Sequence, residues 1–98
     1  MAKQPLKYML INPLKIRTEH ADLDLSAART MADEKGRSLC PVPMLVSWYD
    51  ATTGKSYPDT ESRIAGKPGW LDYAESRRCD VTVDINDEQF VFVYTTKP

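Results

Sequence analysis

The sequence predicts an α+β fold, with a mainly antiparallel sheet and two helices on one face. Segments with apolar residues at every second position, typical of strands, occur near both ends of the chain and in its middle. Two other segments carry apolar residues at helical spacing, which gives the element order β-α-β(β)-α-β-β. The 98 residues are predicted to form one domain, because domains usually contain about 100–150 residues and neither a repeat nor a linker divides the chain.

The first strand and the first helix are predicted in the N-terminal third of the chain. Apolar and charged residues alternate within residues 6–18, and Pro13, which lacks a backbone N–H, predicts a bulge or a sheet edge there. Residues 24–36 have apolar side chains at helical spacing, and either Asp22 or Asp24 can cap the start of this helix.

The segment 44–57 fits two structures. Its apolar residues suit one face of a helix as well as one face of a strand. Residues 50–55 favour a hairpin, because the run Asp-Ala-Thr-Thr-Gly-Lys is typical of a type I turn with Gly54 in the left-handed position. We therefore expect a hairpin, with a helix at 44–50 as the alternative.

The second half of the chain predicts a loop, a helix and a closing hairpin. Proline and glycine mark an exposed loop at 58–69, a helix follows at 68–78, and a strand at Val81–Ile85 pairs with a return strand at 89–95. Residues 90–94 are apolar on both faces. This strand is therefore either central in the sheet, or covered by a helix on one face and by a second subunit on the other. The second possibility predicts a homodimer through this strand, and the edge hairpin is the other surface through which two copies could pair.

Composition and charge argue against several classes of function. Thirteen basic and fourteen acidic residues leave a formal net charge of −1, which gives no overall field for binding nucleic acid or an anionic membrane. The apolar run at 8–11 is too short for a signal peptide or a membrane span. A cytoplasmic location with Cys40 and Cys79 as free thiols is therefore expected. With His20 as the one histidine, neither a metal site nor a cofactor is predicted.

A candidate anion site precedes the second helix. Arg63 and Lys67 bracket the glycine-containing loop there, and the free backbone N–H groups and partial positive charge of a helix start attract anions. These two are the candidate anion-binding residues, and solvated surface charge is the alternative. Arg77 and Arg78 lie near the other end of the helix, where their charges complement its dipole.

Five aromatic residues in the middle of the chain have two interpretations. Together they could line a ligand patch, yet aromatic side chains of strands and helices usually belong to the core, which is the interpretation favoured here. The five are Trp48, Tyr49, Tyr57, Trp70 and Tyr73.

One cysteine lies on stiff backbone, in the run Cys40-Pro41-Val42-Pro43. This run, together with the approach from Gly36, resembles the motif of the TusA/SirA-type sulfur carriers, and the order of elements is similar to theirs. The resemblance implies that Cys40 carries a persulfide, which such a carrier presents on an exposed, reactive thiolate. A buried structural cysteine at a corner between a helix and a strand is the alternative.

Two functions follow from these observations. The favoured one is a non-catalytic accessory or binding domain that acts as a homodimer or with a protein partner. The alternative is a sulfur carrier or another thiol-dependent protein, in which Cys40 is the catalytic residue and Arg63 and Lys67 attract an anionic partner. The reactivity of Cys40 compared with that of Cys79 distinguishes the two.

Overall fold

The computed structural model describes residues 10–19, 23–62 and 66–96. These residues form β1 (Pro13–Ile16), α1 (Leu25–Arg37), β2 (Met44–Asp50), β3 (Lys55–Tyr57), α2 (Gly69–Ser76), β4 (Val81–Ile85) and β5 (Phe90–Thr95). The strands make one sheet in the order β1-β4-β5-β2-β3, in which β1 is parallel to β4 and the other neighbouring pairs are antiparallel. The predicted α+β class, element order and mainly antiparallel sheet are confirmed.

Strand β5 lies in the centre of the sheet, and its side chains alternate between two apolar cores. Val91 and Val93 pack with Trp70 and its neighbours on α2. The aromatic side chains at the alternate positions of β5 face the other way and pack with Ala28 and Ala32 of α1. Every residue from 90 to 94 is buried as a result.

The prediction that both helices lie on one face of the sheet is wrong. Because β5 is apolar on both faces and has a strand on each side, a single helical layer would leave one apolar face in water. In the chain, α1 connects β1 to β2 and packs on one face of the sheet. α2 connects β3 to β4 and packs on the other face, so both apolar faces are covered. The alternative prediction, that the last strand is central, is confirmed.

The first strand and helix have the features expected from local sequence. β1 is an edge strand, as Pro13 predicted. α1 begins after Asp24, whose carboxylate accepts a hydrogen bond from the Ala27 N–H at 2.8 Å. The other candidate cap, Asp22, lies outside the described residues.

β2 and β3 form the predicted hairpin, which excludes the helical alternative for 44–50. Asp50 stabilises the turn, because its carboxylate accepts hydrogen bonds from the Thr52 N–H at 2.9 Å and from the Thr53 hydroxyl at 3.0 Å. Gly54 has a φ of 78°, the left-handed conformation that the turn type requires.

α2 and the closing hairpin also follow the prediction, with ends that differ by at most two residues. Pro68 immediately precedes α2, as a proline at a helix start should. Three successive residues with positive φ, Asn86, Asp87 and Glu88, connect β4 to β5. The Asp84 carboxylate accepts a hydrogen bond from the Glu88 N–H at 2.5 Å, which stabilises this turn.

Candidate functional site

Part of β2 has an open edge. β3 pairs with Trp48, Tyr49 and Asp50 only, although β2 begins four residues earlier, at Met44. No described strand pairs with 44–47 on that side, while β5 pairs with β2 on the other. β3 ends at Tyr57, immediately before Pro58, so it covers only the last three residues of β2 on this side.

Apolar side chains are exposed around this edge. Val42, just before β2, is 75% exposed, Met44, the first residue of β2, is 59% exposed, and Tyr57 at the end of β3 is 55% exposed. Leu39, at the start of the loop between α1 and β2, is the fourth large apolar residue that is exposed among those described. Single exposed apolar residues are normal on a surface, but exposed apolar residues on or next to a strand with unpaired backbone are typical of an interaction site.

A groove of about 370 Å³ lies between the open edge and α2. Val46 and Thr95 belong to the neighbouring strands β2 and β5, and Tyr73 and Arg77 come from the C-terminal part of α2 and the residue that follows it. The Arg77 guanidinium lies over the Tyr73 ring, 4.8 Å from the ring centroid. The described residues that line the groove are Leu45, Val46, Tyr57, Tyr73, Arg77 and Thr95, among which Arg77 carries the one formal charge.

A second groove, of about 430 Å³, also involves Tyr73 and Arg77. It differs from the first in charge, because the carboxylates of Glu61 and Asp72 line it. It also lies against α2 and the loop at Thr60 rather than against the open edge of β2. The groove beside β2 is therefore the more electropositive of the two.

Cys40 lies in the loop between α1 and β2. Its backbone N–H donates to the Gly36 carbonyl at the C-terminal end of α1, at 3.1 Å, and its half-buried Sγ donates to the Thr96 carbonyl at 3.4 Å. Cys40 therefore lies at a helix end, rather than at the helix start whose N–H groups activate thiolates in other proteins. A catalytic role of Cys40 stays a prediction.

Cys79 lies in a different environment. It belongs to the core beneath α2 and is 7% exposed. Burial raises the pKa of the Cys79 thiol to about 11, and the nearby negative charge of Asp80 contributes to the increase. This thiol is therefore protonated at neutral pH and packs as a small apolar group.

The two candidate anion-binding residues are not brought together in the described part of the chain. Lys67, just before α2, forms an ion pair with Glu75 of that helix. Arg63 lies outside the described residues, as does His20. Anion binding by Arg63 and Lys67 stays a prediction.

Most of the aromatic residues belong to the core, as favoured above. The Tyr49 ring stacks on Trp70 with 5.5 Å between centroids and an interplanar angle of 5°, and Trp48 packs against the core beneath α1. Tyr57 and Tyr73 are the exceptions, because both line the groove beside β2.

Sequence reasoning missed Arg77, which it interpreted as a charge that complements the dipole of α2. One signal was available: Tyr73 and Arg77 are four residues apart, which places them on the same side of a helix. What the sequence did not reveal is that this side of α2 lies beside the open edge of β2.

The described residues contain no group of three or more histidine, cysteine, aspartate or glutamate residues that could hold a metal ion. None of their helices is long and apolar enough to cross a membrane.

The fold is shared with a solved structure. A protein from Archeoglobus fulgidus DSM 4304, AF1514, matches with a TM-score of 0.76 and 21% sequence identity, over 91% of this chain and 98% of that one. At this identity the similarity shows a common fold. No curated protein matches the chain.

The resemblance to TusA/SirA-type sulfur carriers is wrong. The family model that matches spans residues 11–94 and is a different one, and the similar solved structure was described as a novel protein. The Cys-Pro-Val-Pro run is a loop between the end of α1 and the start of β2, so four residues resembled a motif without its structural context. The chain belongs to the family of the domain of unknown function DUF5619.

Proposed function

We propose that this protein is a non-catalytic binding domain, which binds an extended segment of a partner polypeptide as an added strand beside β2. The observation that carries the proposal is the backbone at 44–47, which has β5 on one side and no described strand on the other. Strand addition at such an edge is a recurrent form of peptide recognition, in which backbone hydrogen bonds supply affinity and side-chain pockets supply specificity.

The other edge of the sheet supports this choice by contrast. β1 carries Pro13, which removes one donor, and Lys15, whose exposed charge opposes pairing with another strand. Proteins commonly protect edge strands with proline and lysine in this way. The edge of β2 at 44–46 is Met-Leu-Val and has neither form of protection.

A homodimer remains a prediction, but its original basis has changed. It was expected through either the apolar strand 90–94 or the edge hairpin, and α1 and α2 cover both apolar faces of that strand. Two copies could still pair through their β2 edges, since an antiparallel pair of identical strands is self-complementary. We commit to a separate protein partner, because the groove at this edge presents the cationic Arg77, to which a partner can supply the opposite charge.

Selection from a phage-displayed library of random twelve-residue peptides tests the proposal. We expect binders whose affinity falls at least tenfold with Val42→Lys or Met44→Lys, because a charge at either exposed position opposes the approach of an apolar strand. Ala51→Lys is the matched control, since it adds the same charge at an exposed position just beyond the other end of β2.

Two outcomes would overturn the proposal. One is a library from which no peptide binds, or from which the binders are as sensitive to Ala51→Lys as to Met44→Lys. The other is light scattering that gives twice the 11.1 kDa monomer mass in the wild type and the monomer mass in Met44→Lys. That result would assign the edge to a second copy of the chain.

A further inference from the structure

We infer that the groove between the β2 edge and α2 binds a carboxylate carried by the docked segment, with Arg77 as its partner. The inference rests on the proposed function and names the chemistry of its ligand. An acidic side chain or the C-terminal carboxylate of the partner could supply the group, and both present the same two oxygens.

The position of the groove places it next to the docked segment. An added strand would lie about 4.7–4.9 Å from β2, and alternate side chains of the strand would point to the face that α2 covers. Val46 lies on that face of β2, and Tyr73 and Arg77 stand opposite it on the α2 side. A side chain directed to this face therefore enters the groove.

The contact between Arg77 and Tyr73 prepares the guanidinium for a carboxylate. The ring lies 4.8 Å from the guanidinium carbon, and an aromatic ring attracts a cation placed over its face. A guanidinium held in this way keeps its N–H donors at the rim of its plane, where two of them match the two oxygens of a carboxylate. Part of the entropic cost of ordering Arg77 is therefore met before the ligand arrives.

The local charges favour an anion at this point. Arg77 is the one formal charge among the described residues that line this groove, while Glu61 and Asp72 line only the neighbouring groove, which Tyr73 and Arg77 also line. The end of α2 opposes an anion with about half an elementary negative charge, spread over its last carbonyl groups. The full charge of Arg77 exceeds that partial charge, and Arg77 lines the groove.

Peptides obtained from the library provide the test. For each binder we compare the parent, a version with Asp or Glu replaced by Asn or Gln, and a version with an amidated C-terminus. We expect Arg77→Gln to lower the affinity for the parent about tenfold and to leave the affinity for the neutral version unchanged. If replacing the acidic side chain lowers the affinity, the bound group is a side-chain carboxylate. If amidation lowers the affinity, the bound group is the C-terminal carboxylate.

Arg78→Gln is the matched control, because it removes the same charge from an exposed residue one position further along the chain. Arg77→Glu adds a second readout, since selection with this variant should enrich basic peptides. Binders that depend on Met44 but bind equally well in neutral and acidic forms would overturn this inference and leave the proposed function standing. Equal losses of peptide affinity in Arg77→Gln and Arg78→Gln would overturn the inference as well.

Discussion

At the scale of single residues, two buried hydroxyl groups distinguish this sheet. Ser47 and Thr82 are fully buried and lie on either side of Val93, on neighbouring strands in the same row. Neither hydroxyl oxygen has a hydrogen-bond partner among the described residues. A hydroxyl without a partner costs about 1–3 kcal/mol to bury, so this row is a weak point of the core.

Thr82→Val should therefore stabilise the protein. Valine keeps the shape of threonine and removes the hydroxyl, so we expect the free energy of unfolding to rise by about 1 kcal/mol, measured by urea denaturation. Thr96→Val is the control, and it should lower the free energy of unfolding, because the Thr96 hydroxyl donates a hydrogen bond to the Asp80 carboxylate at 2.5 Å. A loss of stability in Thr82→Val would show that its hydroxyl has a partner in solution.

The buried thiol of Cys79 makes stability depend on alkaline pH. Its folded-state pKa, about 11, lies above the ordinary value of 9.0, so the folded state holds the proton more tightly than the unfolded chain. The contribution of the protonated Cys79 thiol to the free energy of unfolding is complete below pH 9 and is lost as the pH rises from 9 to 11. At pH 10 the loss should be about 1.4 kcal/mol, since one pKa unit corresponds to about 1.36 kcal/mol.

Urea denaturation between pH 8 and pH 10.5 measures this loss. Cys79→Ala is the control, because it lacks the thiol and keeps every other group that titrates in this range. The difference in free energy of unfolding between wild type and Cys79→Ala should shrink as the pH rises. A difference that stays constant would contradict the shifted pKa.

At the scale of elements, one buried hydrogen bond ties α1 to the central strand. The Tyr94 hydroxyl of β5 donates to the Asp33 carboxylate of α1 at 2.6 Å, and Tyr94 is 1% exposed. Burial raises the pKa of Tyr94 far above its usual range, and the hydrogen bond to Asp33 contributes to this increase. The phenol therefore remains a donor across the whole physiological range.

Tyr94→Phe tests that connection. The variant leaves the carboxylate without its donor, so we expect the free energy of unfolding to fall by about 1–2 kcal/mol in urea denaturation. Tyr73→Phe is the matched control, because Tyr73 is half-buried on α2, away from the α1 face of the sheet. A similar stability for Tyr94→Phe and wild type would show that the hydrogen bond contributes no net stabilisation.

Elements set by neighbouring residues could be predicted from the sequence. The hairpin of β2 and β3 depends on Asp50 and Gly54, and the start of α1 depends on Asp24 and the backbone three residues on. These contacts are local, so the order of residues determines them. The face of the sheet that each helix covers is different, because it depends on which strands become neighbours after the chain has folded.

The candidate site was less predictable for the same reason. Its edge exists because β3 is short and stops before Pro58, and its groove exists because α2 packs beside β2. Tyr73 and Arg77 could be placed on one side of a helix, yet the strand they face lies more than twenty residues earlier in the chain. Periodicity locates such residues within an element and says nothing of the element opposite.

At the scale of the whole molecule, helices cover both faces of the central strand, and the part of β2 at 44–47 is an edge that neither proline nor lysine protects. α1 and α2 cover the two apolar faces of β5, and every residue from 90 to 94 is buried. The exposed apolar residues gather instead around the loop before β2 and the end of β3. We therefore propose that the edge of β2 serves binding, while the two covered faces of the sheet provide stability.

Amide hydrogen exchange tests this assignment most directly, with and without a saturating peptide from the library. An added strand supplies new acceptors, so we predict that exchange slows at least tenfold for amides within 44–47. It should be unchanged in Pro13–Ile16, the opposite edge, and in the turn at 51–54. Protection at β1 or in the turn, with none at 44–47, would contradict the assignment of binding to the edge of β2.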